Sequence, residues 1–224
     1  MKKKITCIIQ ARMSSKRLPG KVLKKIRGKI SFLKYLIIRI QKSKCIDKIL
    51  IACSKNFKDK KIINFCKKNN LDYFVGSENN ILERYYKASI YSNANNILRI
   101  TSDCPFTDPK MIDQFIKLYQ KKNVDYLSNT VKRTYPNGLD LEIFSKEALA
   151  IAYKKVNKNY DKEHVTPYLK RSKKIKKYCV KLKRNLSHIR VTLDTKKDEK
   201  FLKMIAKKLS SRKIWPWKKI LSVI

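Results

Sequence analysis

Five short apolar runs punctuate the first 130 residues: ITCIIQ (5–10), KILIAC (48–53), DYFVG (72–76), NILRIT (96–101) and VDYLSN (124–129). Runs that are apolar without alternation belong to strands buried on both faces, the state of parallel strands covered by helices. Each gap between them carries a longer stretch with helical spacing. ISFLKYLIIRIQKS, for example, places Phe32, Leu33, Leu36, Ile37 and Ile40 along one side. DKKIINFCKKNN, ILERYYKASIYSNA and DPKMIDQFIKLYQKKN follow the same pattern, and in the last of these Asp108 reads as a cap with Pro109 in the first turn. Strand and helix in alternation require right-handed crossovers, so the expected fold is a three-layer α/β sandwich with a mostly parallel central sheet.

The rhythm changes after about residue 130. NGLDLEIFS reads as a strand behind a turn, KEALAIAYKKV as a helix, NYDKEHVTPYLKRS as helical around Pro167, and KKYCVKL and HIRVTLD as strands. DEKFLKMIAKKL and PWKKILSVI then close the chain as helices. No repeat or linker divides the sequence, so it is read as one domain over 1–224, with about 131–187 as an insertion or a dimerisation arm.

A formal net charge of +39 invites a nucleic-acid or polyanion-binding reading. The lysines are spread over every segment, however, with no finger, no basic helix with heptads and no compact RNA-binding signature. A solvated lysine coat accounts for them, and specific nucleic-acid binding is not expected. The six cysteines contain no CxxC pair and no zinc spacing. The densest apolar run, YLIIRI, is broken by Arg39, too short to span a membrane. The basic start MKKKITCIIQ lacks a signal-like apolar stretch and cleavage site. The expected location is the cytoplasm.

Against this background the 17 acidic residues are informative, because many stand in short polar phrases at the ends of apolar runs. The first run passes at once into ARMSSKRLPGK, a loop with Arg12, Ser14, Ser15, Lys16, Arg17 and Lys21. A cationic loop at a strand end is where open α/β sheets hold ligands, and arginine forks suit phosphate. An ordinary basic surface loop is the alternative. It is not a Walker loop: Gly20-Lys21 is followed by Val22, and no glycine stands five residues earlier. Asp103 and Asp194 each close an apolar run. Such carboxylates can pair with arginines, cap helices, or hold a hard divalent cation against phosphate.

The phrases IIQARMSSKRLPGKVL, GSENNILERYY, RITSDCPFTDP, NGLDLEIFS, KEHVTPYL and RVTLDTKKDE, in this order, resemble the cytidylyltransferases related to spore-coat polysaccharide biosynthesis protein F. More distantly the chain resembles the acylneuraminate and 3-deoxy-manno-octulosonate cytidylyltransferases. The resemblance implies a nucleotide-diphospho-sugar transferase fold, Rossmann-like. It also implies Mg²⁺-dependent transfer of CMP from CTP to a sugar with release of pyrophosphate, and a homodimer. It assigns Arg12 and Lys21 to the triphosphate with help from Ser14, Ser15 and Arg17, and sets Ser102 and Arg84 near the nucleotide. Asp103 and Asp194 would hold magnesium, making them catalytic with Arg12 and Lys21. Asp140, Glu142, Glu163 and His164 would face the sugar, expected to be an acidic or modified surface-polysaccharide unit. A same-fold enzyme using another nucleotide and a polyanion-binding protein are the rival readings.

Overall fold

The computed structural model describes residues 4–209 and 214–224, so the basic start at 1–3 lies outside the described residues. The first half contains β1 (Ile5–Gln10), β2 (Lys25–Arg27), β3 (Ile30–Ser31), α1 (Phe32–Ile40), β4 (Lys48–Ser54), α2 (Lys60–Lys68), β5 (Tyr73–Gly76) and α3 (Ile81–Tyr91). Then come β6 (Asn96–Thr101), α4 (Pro109–Lys122), β7 (Tyr126–Ser128), β8 (Glu142–Ser145), α5 (Lys146–Lys155), α6 (Asn159–His164) and α7 (Pro167–Arg171). β9 (Lys177–Cys179), α8 (Lys196–Lys208) and α9 (Trp217–Leu221) complete the chain.

Among the described residues the main sheet has seven strands in the order β5-β4-β1-β6-β8-β7-β9. The β5, β4, β1 and β6 pairs are parallel; β8 runs antiparallel to both β6 and β7, and β9 returns parallel to β7. The sheet is therefore mostly parallel, as the apolar runs required.

Alternate side chains of the central strands feed two separate cores. Cys7, Ile9, Ile51, Cys53, Leu98 and Ile100 join α1, α2, α4 and α8 on one face. Ile8, Leu50, Ala52 and Ile97 join α3, α5 and α7 on the other. Each fully buried Leu or Ile contributes roughly 1.5–3 kcal/mol through removal of apolar surface from water. Polar caps fix the helix starts: Ser31 accepts from Lys34, Asn80 from Glu83, and Asp108 from Lys110 with Pro109 behind it. The Asp108–Pro109 expectation therefore holds.

The segment HIRVTLD departs from the expected strand. Among the described residues its one ladder contact is an isolated bridge between Asn137 and Arg190. Gly138, at φ 103°, makes the approach possible, since a Cβ there would stand 2.7 Å from the Val191 carbonyl carbon. Only glycine tolerates both that backbone angle and that contact. The segment 190–194 is thereby drawn against the Asn137–Gly138 turn and across to the loop after β6, where Leu193 N–H donates to the Asp103 carbonyl at 2.8 Å. The expected helix over NYDKEHVTPYLKRS is likewise split in two at Val165, which stands at φ 68°, ψ −54°. There the Thr166 N–H reaches the His164 carbonyl at 2.8 Å, a tight three-residue turn that a β-branched residue adopts only under strain.

Candidate active site

β1 and β6 lie side by side and in register, with Gln10 opposite Thr101. Their C-terminal loops therefore leave the sheet together, and Ser102 N–H bonds the Gln10 carbonyl at 3.1 Å. This adjacency brings the ARMSSKRLPGK loop to Asp103. A cleft of about 440 Å³ opens between them, and Arg12, Ser14, Ser15, Arg17, Lys21, Arg84, Ser102, Asp103, Glu163 and Asp194 all line it.

Local interactions shape the loop. Asp59, fully buried, takes Met13 N–H at 2.7 Å, Ser54 N–H at 3.0 Å and the Ser54 hydroxyl at 2.6 Å. It ties the first loop to the end of β4. Gly20 adopts φ 67°, and its N–H closes the loop on the Met13 carbonyl at 3.0 Å. That turn delivers Lys21, 8% exposed, into the cleft.

The Lys21 ammonium touches Asp103 Oδ2 at 2.9 Å, Asp194 Oδ1 at 2.7 Å and the Leu193 carbonyl at 2.7 Å. Asp194 Oδ2 is taken by Arg190 at 2.7 Å and Arg17 at 3.2 Å. Burial works against the Asp194 charge, but hydrogen bonds from Lys21 and Arg190 outweigh it and hold the carboxyl below the usual carboxylate range. Asp198 caps α8 with Thr195 and braces Arg190 at 3.2 Å; it does not line the cleft.

Arg84 enters from α3. Its guanidinium is buried, donates to the Ser77 carbonyl at 3.2 Å, and has Nε without a partner among the described residues. Burial pulls its pKa down from the ordinary arginine value. Arg84 passes over Gly76, where a Cβ would come within 2.8 Å of the Arg84 Cγ. Arg12 is exposed and faces Glu163 across the opening at 3.9 Å.

Three of the residues expected near the sugar do not line the cleft. Asp140 is held by a two-point bond to Arg133, at 2.5 and 2.7 Å. Glu142 is 2% exposed. It contacts Arg99, its Oε1 accepts from Tyr126 at 2.6 Å, Thr166 at 2.9 Å and Thr130 at 3.1 Å, and the Lys170 ammonium pairs with it at 3.2 Å. A carboxylate so enclosed organises the protein around it. His164 is exposed at the end of α6, against the Tyr160 ring at 4.4 Å. Cys104 is buried beside Asp103, and burial pushes its thiol well above the ordinary range, which keeps it protonated.

The sequence reading missed Asp59 and Gln10. Gln10 lines the cleft and takes a hydrogen bond from Arg99 at 3.1 Å, so the Glu142 network reaches the site through Arg99. A lone acid after β4 was the only signal for Asp59.

A cationic loop and two carboxylates at the C-terminal ends of a mostly parallel α/β sheet are the layout of a nucleotide-handling α/β enzyme. The chain belongs to the cytidylyltransferase family, whose sequence profile matches residues 6–220. It is 38% identical over 200 residues to an uncharacterised protein of Methanocaldococcus jannaschii, covering 88% of this chain and 81% of that one. It is 32% identical over 218 residues to the spore coat polysaccharide biosynthesis protein SpsF of Bacillus subtilis, covering 93% and 88%. A cytidylyltransferase structure from Leptospira borgpetersenii superimposes with a TM-score of 0.93 at 31% identity, covering 99% of this chain and 94% of that one.

Proposed function

We propose that this enzyme transfers CMP from CTP to a hydroxyl of a surface-polysaccharide sugar, with Mg²⁺, in the cytoplasm. The observation that carries the reading is the meeting of Asp103 and Asp194, from distant parts of the chain, on one ammonium of the cationic loop. The sugar hydroxyl oxygen bonds to the α-phosphorus as the bond to the β-phosphate bridging oxygen breaks. Pyrophosphate leaves with that electron pair, and the hydroxyl proton passes to solvent or a nearby base.

Positioning and charge neutralisation dominate such a step. Arg12, Arg17, Lys21 and the hydroxyls of Ser14 and Ser15 are set to meet the triphosphate, and Ser102 and Arg84 to meet the nucleoside. Glu163, across from Arg12, borders the sugar. Asp140, Glu142 and His164 act from outside the cleft lining.

The donor set suits magnesium. Asp103 Oδ2 and Asp194 Oδ1 are hard oxygens close enough for one cation to touch both, as the Lys21 ammonium does. Magnesium prefers few carboxylates and takes its other ligands from phosphate and water. Bound there, it would neutralise phosphate charge and orient the α-phosphate. The chain works as one domain and forms a homodimer, with the arm drawn from the parts of about 131–187 that lie outside β8, α5, α7 and β9, which belong to the sheet and its core.

Calorimetric titration of CTP, ATP, GTP and UTP, with and without Mg²⁺ at moderate salt, tests the reading. Selective, metal-dependent CTP binding is expected. Equal weak binding of all four, lost as salt rises, would replace it with polyanion attraction to the lysine coat.

A further inference from the structure

We propose that Lys21 and the divalent cation compete for one seat, so that the metal enters as the triphosphate draws the lysine out. The inference rests on the reading of Asp103 and Asp194 as the metal carboxylates.

The seat consists of three oxygens: Asp103 Oδ2, Asp194 Oδ1 and the Leu193 carbonyl, all within 2.9 Å of Lys21 Nζ. An ammonium has three N–H donors, and these acceptors use them all. In this position Lys21 has no donor left for phosphate. Carboxylate and carbonyl oxygens are also what a hard divalent cation takes. Two cations cannot share so small a ring of oxygens, because their mutual repulsion at contact distance exceeds what either gains there.

The two oxygens of Asp194 divide the work. Oδ2 is held by Arg190 and Arg17, which fixes the carboxylate plane. Oδ1 alone faces the shared seat. Exchange of lysine for metal thus keeps the orientation of the Asp194 carboxylate, with the oxygens drawing in from 2.7–2.9 Å to the shorter bonds of a divalent metal. The Lys21 side chain, which has a long flexible stem, rotates away. A triphosphate lying along Ser14, Ser15 and Arg17 supplies both the new acceptors for Lys21 and the remaining ligands for the metal. Metal and nucleotide then bind as a coupled pair, and metal alone binds poorly.

The test is Mn²⁺ binding to the full chain without nucleotide, followed by electron paramagnetic resonance, with thermal unfolding alongside. Lys21→Met should bind Mn²⁺ at least about tenfold more tightly than the wild type, because the competing charge is gone while both carboxylates remain. Its melting temperature should rise more on adding Mn²⁺ than that of the wild type. The gain should vanish when Asp194→Asn is added. Lys21→Gln serves as the second variant, and folding of either variant only with Mn²⁺ present supports the proposal equally. If both variants fold and bind Mn²⁺ no better than the wild type, while Asp194→Asn weakens metal-dependent CTP binding, the competition is refuted and the metal assignment stands. If neither Asp103→Asn nor Asp194→Asn alters Mn²⁺ binding with or without CTP, the metal assignment falls and the proposal with it.

Discussion

Arg99 and Glu142 stand opposite one another on the antiparallel strands β6 and β8, and their charged groups meet where Glu142 is almost closed to water. Removing the acid leaves Arg99 facing a neutral partner in a buried place. Glu142→Gln should lose about 3–5 kcal/mol of stability, the usual cost of breaking a buried pair, measured by urea unfolding at neutral pH. It should also weaken nucleotide binding, because Arg99 holds Gln10 at the cleft.

The same carboxylate makes stability depend on pH. Burial pushes the Glu142 pKa up, but Arg99, Lys170 and hydrogen bonds from Tyr126 and Thr166 outweigh burial and bring it from 4.5 to about 2. A lowered pKa means that its contribution is complete above pH 4.5 and is lost as pH falls towards about 2. Acid unfolding followed by circular dichroism should show a loss across this window that Glu142→Gln lacks. An unchanged acid profile in the variant would remove the group from the account.

Asp194→Asn and Asp103→Asn should each reduce Mg²⁺-dependent CTP affinity by roughly tenfold or more, since each neutralises one ligand of the proposed two-carboxylate cation site. Asp103→Asn should change the melting temperature little, because Lys21 keeps its remaining acceptors, whereas Asp194→Asn should also lower it, since Arg190 and Arg17 lose their carboxylate partner. Calorimetry with and without Mg²⁺ separates the two effects. Near-wild-type metal dependence in both variants would remove the assignment.

Gly76→Ala tests how Arg84 is seated. The added methyl would meet the Arg84 Cγ at 2.8 Å and the Phe74 ring at 2.9 Å, so the arginine must shift. Stability should fall by about 1–3 kcal/mol, as for other overpacked sites. Nucleotide affinity should fall as well, and a calorimetric affinity equal to the wild type would show that Arg84 does not touch the nucleotide.

Asp59→Asn should loosen the cationic loop from β4. The neutral side chain keeps one acceptor for the three donors now bonded to the Asp59 carboxylate, and a buried group left unpaired costs about 1–3 kcal/mol. Faster hydrogen exchange at Met13 and Ser54, with weaker CTP binding, is the expected result. Unchanged exchange at Met13 would show that the loop holds its own shape.

What the sequence disclosed follows from what is local. β1, β4 and β6 were visible because strands buried on both faces must be apolar throughout, and Asp103 was visible because it closes such a run. HIRVTLD misled because Ile189, Val191 and Leu193 alternate as a strand would, although among the described residues it makes an isolated bridge to Asn137 and no strand ladder. The acid of Glu142 was plain, but its enclosure depends on Arg99, Tyr126, Thr166 and Lys170, which only the folded chain assembles. The split at Val165 could not be foreseen from a residue type that avoids positive φ.

The bond from Lys21 to Asp194 joins positions 173 residues apart. Synthesis proceeds from the N-terminus, and domains fold as they emerge, so the cationic loop exists long before its second carboxylate is made. A nascent chain halted before Asp194 could pair β1 with β4 and β6 and present Arg12, Arg17 and Lys21, yet it would lack the second carboxylate that Lys21 and Arg17 meet. The seat of Lys21 is thus complete only after Asp194 has left the ribosome.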